Sequence, residues 1–157
     1  MSLLKVANIA GLLQVFVALA MFLTGLVAVA YGDGDAPGFF LSGAITLAFG
    51  WTVYLLTRFE GEVTTREGFA IVTMAWTVTA IFGGLPYLLT GVLDSPIRAI
   101  FEAMSGFTTT GATVFSDIEA LPHGVLLWRS VTHWLGGMGI IVLVIAVLPY
   151  LGIGGMQ

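Results

Sequence analysis

The feature that most constrains this chain is a set of four apolar blocks. Asn8 to Ala30, Gly38 to Thr57 and Gly68 to Thr90 carry no Asp, Glu, Lys or Arg, and Gly124 to Leu151 carries only Arg129, with His133 four residues on. A hydrocarbon core of about 30 Å is crossed by about 20 helical residues at 1.5 Å each, so every block is long enough to span. Only 9% of the 157 residues are charged, against roughly 25% in soluble domains, and the mean hydropathy is +1.03. An ordinary soluble enzyme, a disordered chain and a disulfide scaffold are excluded, the last because there is no cysteine. The expected class is an all-α integral membrane protein with four transmembrane helices.

Breaks between the blocks are plain. Tyr31 to Pro37 holds Gly, Pro and two acids, and Arg58 to Glu62 ends the second block. Gly83, Gly84 and Pro86 weaken the end of the third. The first block exceeds the roughly 7–15 apolar residues of a secretory signal, so it is expected to stay as a helix. With the N-terminus inside, Lys5, Arg58 and Arg66 fall on the cytoplasmic side and Arg98 alone outside. The positive-inside rule then favours cytoplasmic N- and C-termini. A net charge of −4 argues against a nucleic-acid partner.

About 33 residues separate blocks three and four, and they do not read as a plain loop. Ser95 and Pro96 form a helix-start signal, with Ser95 placed to cap free N–H groups. Ile97, Ile100, Phe101 and Met104 then recur at helical spacing. Pro96 to Phe107 makes about 18 Å of helix, enough to enter a bilayer but not to cross it. Thr108 to Val114 follows, rich in Thr and Gly. Irregular backbone at membrane depth survives only when buried in protein or lining a watery cavity. Two readings fit: a re-entrant helix with a strand whose carbonyl and hydroxyl oxygens replace a cation's hydration shell, or a Thr-rich external turn beside an interfacial helix. Periodicity does not separate them.

The run Phe101-Glu-Ala-Met-Ser-Gly-Phe-Thr-Thr-Thr-Gly-Ala-Thr-Val114 resembles the first pore loop of the TrkH/KtrB superfamily of potassium transporters. Leu127 to Ile141 and Leu148 to Gln157 are similar to the helix after that loop, and within the superfamily the match is to the TrkH family. The resemblance covers essentially the whole chain. It implies a bacterial or archaeal cytoplasmic-membrane protein divided into an N-terminal hairpin, 1–66, and a first membrane–pore–membrane unit, 67–157. The pore helix would occupy 96–107 and the potassium filter Thr109, Thr110, Gly111, Ala112 and Thr113. No cofactor is implied beyond the transported potassium. One departure is visible: His133 stands where many members carry glutamine.

Arg129 lies about five residues inside the fourth block, roughly 8 Å of helix, where it can snorkel or pair with Glu102. His133 lacks further ligands at metal spacing, so a hydrogen bond between helices is its expected role. Gly136, Gly137 and Gly139 are expected to admit a close neighbour. Asp33, Asp35, Asp94, Asp117 and Glu119 fall in the external segments and could make a negative mouth or simply be solvated. Ser105, Ser116 and Ser130 have no evident base, and no catalytic motif is present, so the chain is not expected to be an enzyme.

The superfamily builds its pore from four such units in one chain, and this sequence holds one. The leading expectation is a potassium-conducting subunit, or part of one. A non-conducting fragment or assembly-only polypeptide is the first alternative, and a homotetrameric channel-like pore the second. Expected partners are membrane lipid, the remaining pore units or further copies of the chain, and, by resemblance, a cytoplasmic nucleotide-binding regulator of the TrkA type.

Overall fold

A computed structural model describes residues 2–59 and 64–147. Helix α1 covers Leu3–Tyr31, α2 Ala36–Leu56, α3 Thr65–Gly83, α4 Leu85–Leu89, α5 Pro96–Phe107 and α6 His123–Val147. Three stretches among the described residues are long and apolar enough to cross a membrane: Leu3–Tyr31, Ala36–Leu56 and Arg66–Leu89. Helix α6 has 25 residues, and the end of its apolar block, Leu148 to Leu151, lies outside the described residues together with the rest of the similar stretch to Gln157.

Glycine and proline set the first turn. Gly32 closes α1 in the left-handed region at φ 77° and donates to the Ala28 carbonyl at 3.0 Å. Pro37 then sits in the first turn of α2, where its missing N–H leaves no gap in the ladder. The two helices pack as a hairpin through small residues: a Cβ on Gly50 would lie 2.7 Å from the Gly11 carbonyl oxygen. On their outer faces Phe16, Leu23, Leu26, Leu41 and Trp51 are exposed, as a lipid-facing surface requires. Inside the hairpin Gln14 and Thr46 are fully buried, and Gln14 Nε2 donates to Thr79 Oγ1 of α3 at 2.8 Å.

Helix α3 begins with a capping box. The Glu67 N–H donates to Thr64 Oγ1, while Glu67 Oε2 accepts from the Thr64 N–H at 2.9 Å. The Ser2 N–H and the Lys5 ammonium also reach Glu67, at 2.8 and 3.7 Å, so the start of α1 is tied to the start of α3. The third block breaks where its composition says it should: α3 stops at Gly83, and α4 restarts at Leu85 with Pro86 in its first turn.

The centre of the molecule is apolar and aromatic. Trp128, Tyr87, Phe39 and Met21 are all fully buried, with the Trp128 ring edge-on to both Phe39 and Phe107. Helix α5 lies against α3 and α6, and α6 returns to touch α1. At the α1–α2 turn, Asp33 Oδ2 accepts from the backbone N–H of His123 at 2.8 Å and meets its Nδ1 at 2.7 Å. Tyr31 stacks on the same imidazole at 4.2 Å. The first turn of α6 is therefore capped by a residue 90 positions earlier.

Candidate functional site

The 12-residue helix α5 has the expected bounds, Pro96 in its first turn and Ser95 as its cap residue. Ser95 makes no side-chain cap bond, which corrects the role expected of its hydroxyl. The faces of α5 are also distributed unlike those of a soluble helix. Ile97 and Phe101 point outward, 80% and 47% exposed, whereas Ala99, Glu102, Ala103, Ser105, Gly106 and Phe107 are buried. Apart from Phe107, the buried positions of α5 carry small side chains or, at Glu102, a hydrogen-bonded one.

The end of α5 is closely held. A Cβ on Gly136 of α6 would collide with the Phe107 carbonyl, and one on Gly106 would collide with Thr132. The Phe107 carbonyl accepts from Trp76 Nε1 of α3 at 3.0 Å, and Trp128 Nε1 donates to the Gly83 carbonyl at 3.0 Å. Gly137, by contrast, has nothing within 4 Å of a built Cβ, and Gly139 meets only Trp76 at 4.0 Å. Of the three glycines expected to admit a close neighbour, Gly136 alone does so among the described residues.

The irregular segment after α5, called the strand below, folds back on the helix that precedes it. Thr109 and Gly111 have positive φ, 56° and 80°, and no other non-glycine residue described has one. A β-branched residue in the left-handed region is a strained exception, and glycine at 111 avoids a second one. Such alternation gathers consecutive N–H groups on one side. The Thr109 N–H donates to the Gly106 carbonyl at 2.9 Å, and those of Thr110 and Gly111 converge on the Ser105 carbonyl at 2.9 and 3.5 Å. In a planar trans peptide the carbonyl opposes the N–H it is bonded to. The carbonyls of Thr108, Thr109 and Thr110 consequently face away from α5, on a surface where Thr109, Thr110 and Gly111 are exposed.

Farther along, the strand is bonded by side chains of α5. Ser105 Oγ donates to the Ala112 carbonyl at 2.5 Å, so one lone pair of that oxygen is taken and turned toward the helix. The Thr113 hydroxyl lies 3.0 and 2.9 Å from the two Glu102 oxygens, and the Val114 N–H donates to Glu102 Oε2 at 2.9 Å. Thr113 therefore presents its carbonyl, not its hydroxyl, away from α5. The Thr108 hydroxyl donates to the Met104 carbonyl at 2.7 Å and lies 2.8 Å from that of Thr110. Sequence reasoning missed Ser105 and Trp76 as members of this site, because bonds to a carbonyl 7 or 31 residues away leave no periodic mark.

Arg129 takes the second of its two expected roles and pairs with Glu102. Its side chain is 14% exposed and its Nε meets Glu102 Oε1 at 2.8 Å, with the guanidinium 6.0 Å from the Phe115 ring. His133 Nδ1 lies 2.7 Å from the Arg129 carbonyl of its own helix, which replaces the interhelix bond expected of it. Asp35, grouped by sequence with the external acids, is only 5% exposed and packs against Gly124 at the start of α6. No cluster of three metal-ligating side chains occurs among the described residues.

Membrane-length helices around a half-length helix and its bound strand define a polytopic, all-helical membrane protein. The chain belongs to the TrkH family, described as cation transport protein, which matches residues 36–157. It is 44% identical to the Trk system potassium uptake protein TrkH of Halomonas elongata over 158 residues, covering 99% of this chain and 33% of that protein. It is likewise 44% identical to the TrkH of Escherichia coli K12 over 154 residues, covering 97% and 32%. The crystal structure of the potassium transporter TrkH from Vibrio parahaemolyticus superposes with a TM-score of 0.91 at 40% identity, covering all of this chain and 34% of that one. The chain thus spans about a third of the length of the relatives it matches. Membership also carries the expectation that the chain is not an enzyme: these relatives are transporters.

Proposed function

We propose that this chain supplies one quarter of a potassium-conducting pore, with α5 as a re-entrant pore helix and Thr109 to Thr113 as one strand of its filter. The observation that carries the reading is the clasp of the Thr109, Thr110 and Gly111 N–H groups on the end of α5. It leaves a row of carbonyls facing outward from the molecule, and such rows replace the water around a monovalent cation. The names of the relatives, potassium uptake proteins, point to the same cargo. In this reading Thr109 and Thr110 contribute carbonyls directly. Gly111 permits the turn, while Ala112 and Thr113 hold the strand to α5.

One strand cannot encircle an ion. The residues 67–157 act as the first unit, residues 1–66 as an outer hairpin, and the ring is completed by further pore units joined to this segment. Both termini of the segment lie on the cytoplasmic side, and a nucleotide-binding regulator of the TrkA type docks there. The test is the potassium-to-sodium permeability ratio of the complete transporter in liposomes, with Gly111→Ala against wild type. A Cβ there has open space but an unfavourable φ, so the substitution disturbs the strand without a packing clash. A changed ratio at normal abundance is expected, and an unchanged one contradicts the filter. Rescue of an uptake-deficient host by the 157-residue chain alone, with a tetrameric mass in detergent, would replace the joined units by four copies.

A further inference from the structure

Glu102 is 3% exposed on the inner face of α5. A carboxylate taken this far from water is strongly unfavourable unless it is paired and bonded, and an apolar residue of similar volume would fill the space without that penalty. Arg129 supplies the opposite charge through a single Nε contact at 2.8 Å. The remaining donors, the Thr113 hydroxyl and the Val114 N–H, belong to the segment at the end of the strand. Ser105, three residues on and on the same face of the helix, holds the strand at Ala112. Beyond the backbone clasp at Thr109 to Gly111, two side chains of α5 therefore fasten the segment, and the charged one is Glu102.

We infer that Glu102 is a positioning residue for ion selection. Its carboxylate, held in place by Arg129, fixes the Thr113–Val114 peptide and so the direction of the carbonyls before it. The inference rests on the reading of Thr109 to Thr113 as a filter strand. The competing role is a simple tie between α5 and α6, for which only the opposite charges matter. The two differ in a charge exchange. Arginine at 102 facing glutamate at 129 restores the pair, but a guanidinium has no acceptor for the Val114 N–H or the Thr113 hydroxyl.

The experiment measures the potassium-to-sodium permeability ratio and membrane abundance of the complete transporter carrying Glu102→Gln, the exchange Glu102→Arg with Arg129→Glu, or Thr113→Val. Thr113→Val removes one hydroxyl and leaves the ion pair intact, so it reports on the fastening even if the charge variants do not accumulate. The expected result is normal abundance of Thr113→Val, a fall in the ratio of about tenfold for Glu102→Gln, as befits the loss of charge-assisted bonds, and no recovery in the exchange. An unchanged ratio in Thr113→Val, or an exchange that restores the ratio, overturns the inference. Gly111→Ala separates the two levels. If it shifts the ratio while the Glu102 and Thr113 variants do not, only the positioning role fails; if none shifts it, the filter itself does.

Discussion

The indole nitrogen of Trp128 lies 3.0 Å from the carbonyl oxygen of Gly83, at the point where α3 stops. The contact explains how a helix can end inside an apolar bundle. The Gly84–Leu85–Pro86 sequence interrupts the ladder, and a carbonyl left bare in hydrocarbon would be strongly unfavourable. Trp128 fills the centre of the core and satisfies that carbonyl with the same side chain.

Trp128→Phe keeps most of the ring but leaves the Gly83 carbonyl without its donor. A loss of about 1–3 kcal/mol is expected for a buried unsatisfied acceptor, read as a lower melting temperature in detergent. Melting unchanged from wild type would show that another donor replaces the indole.

Gly136→Ala and Gly137→Ala form a matched pair. The first drives a methyl into the Phe107 carbonyl, the second into open space. Overpacking of about 1–3 kcal/mol is expected at 136, and a change within about ±0.5 kcal/mol at 137. Thermal unfolding of both variants checks the contrast, and equal effects would contradict the placement of α6 on α5.

The clasp between Asp33 and His123 responds to acid. Bonds from the His123 backbone and ring lower the Asp33 pKa below its ordinary 3.8. A depressed carboxylate pKa means that the contribution is complete above about 3.8, the ordinary aspartate value, and is lost as pH falls through the folded value. Protection of the first turn of α6 against hydrogen exchange, relative to the unstructured rate at the same pH, is expected to fall below that range in wild type. In Asp33→Ala, which has no side-chain acceptor, the turn should lack this protection at neutral pH and show no acid step; a retained acid step in that variant would assign the effect elsewhere.

Much of this architecture is written in local pattern. Uncharged runs mark the long helices, Gly83 to Pro86 marks the break, and Ser95-Pro96 marks the start of α5 at the observed residue. What the pattern does not carry is side-chain bonding between elements. Ser95 looks like a capping residue, yet its hydroxyl makes no cap bond. Asp35 looks like a solvated loop acid, yet the start of α6 covers it. The Thr/Gly run announces an irregular strand. Which oxygens it frees depends on Ser105 and Glu102, whose partners lie 7 and 11–12 residues away and follow no period.

The central claim is that the carbonyls of Thr109 and Thr110 line the ion path. Anomalous diffraction from crystals of the complete transporter soaked with rubidium or thallium tests it without relying on any substitution. The account predicts an anomalous peak within coordination distance of those two carbonyl oxygens, on the face of the strand opposite α5. A well-occupied ion elsewhere in the pore, with no density beside Thr109 and Thr110, would contradict it.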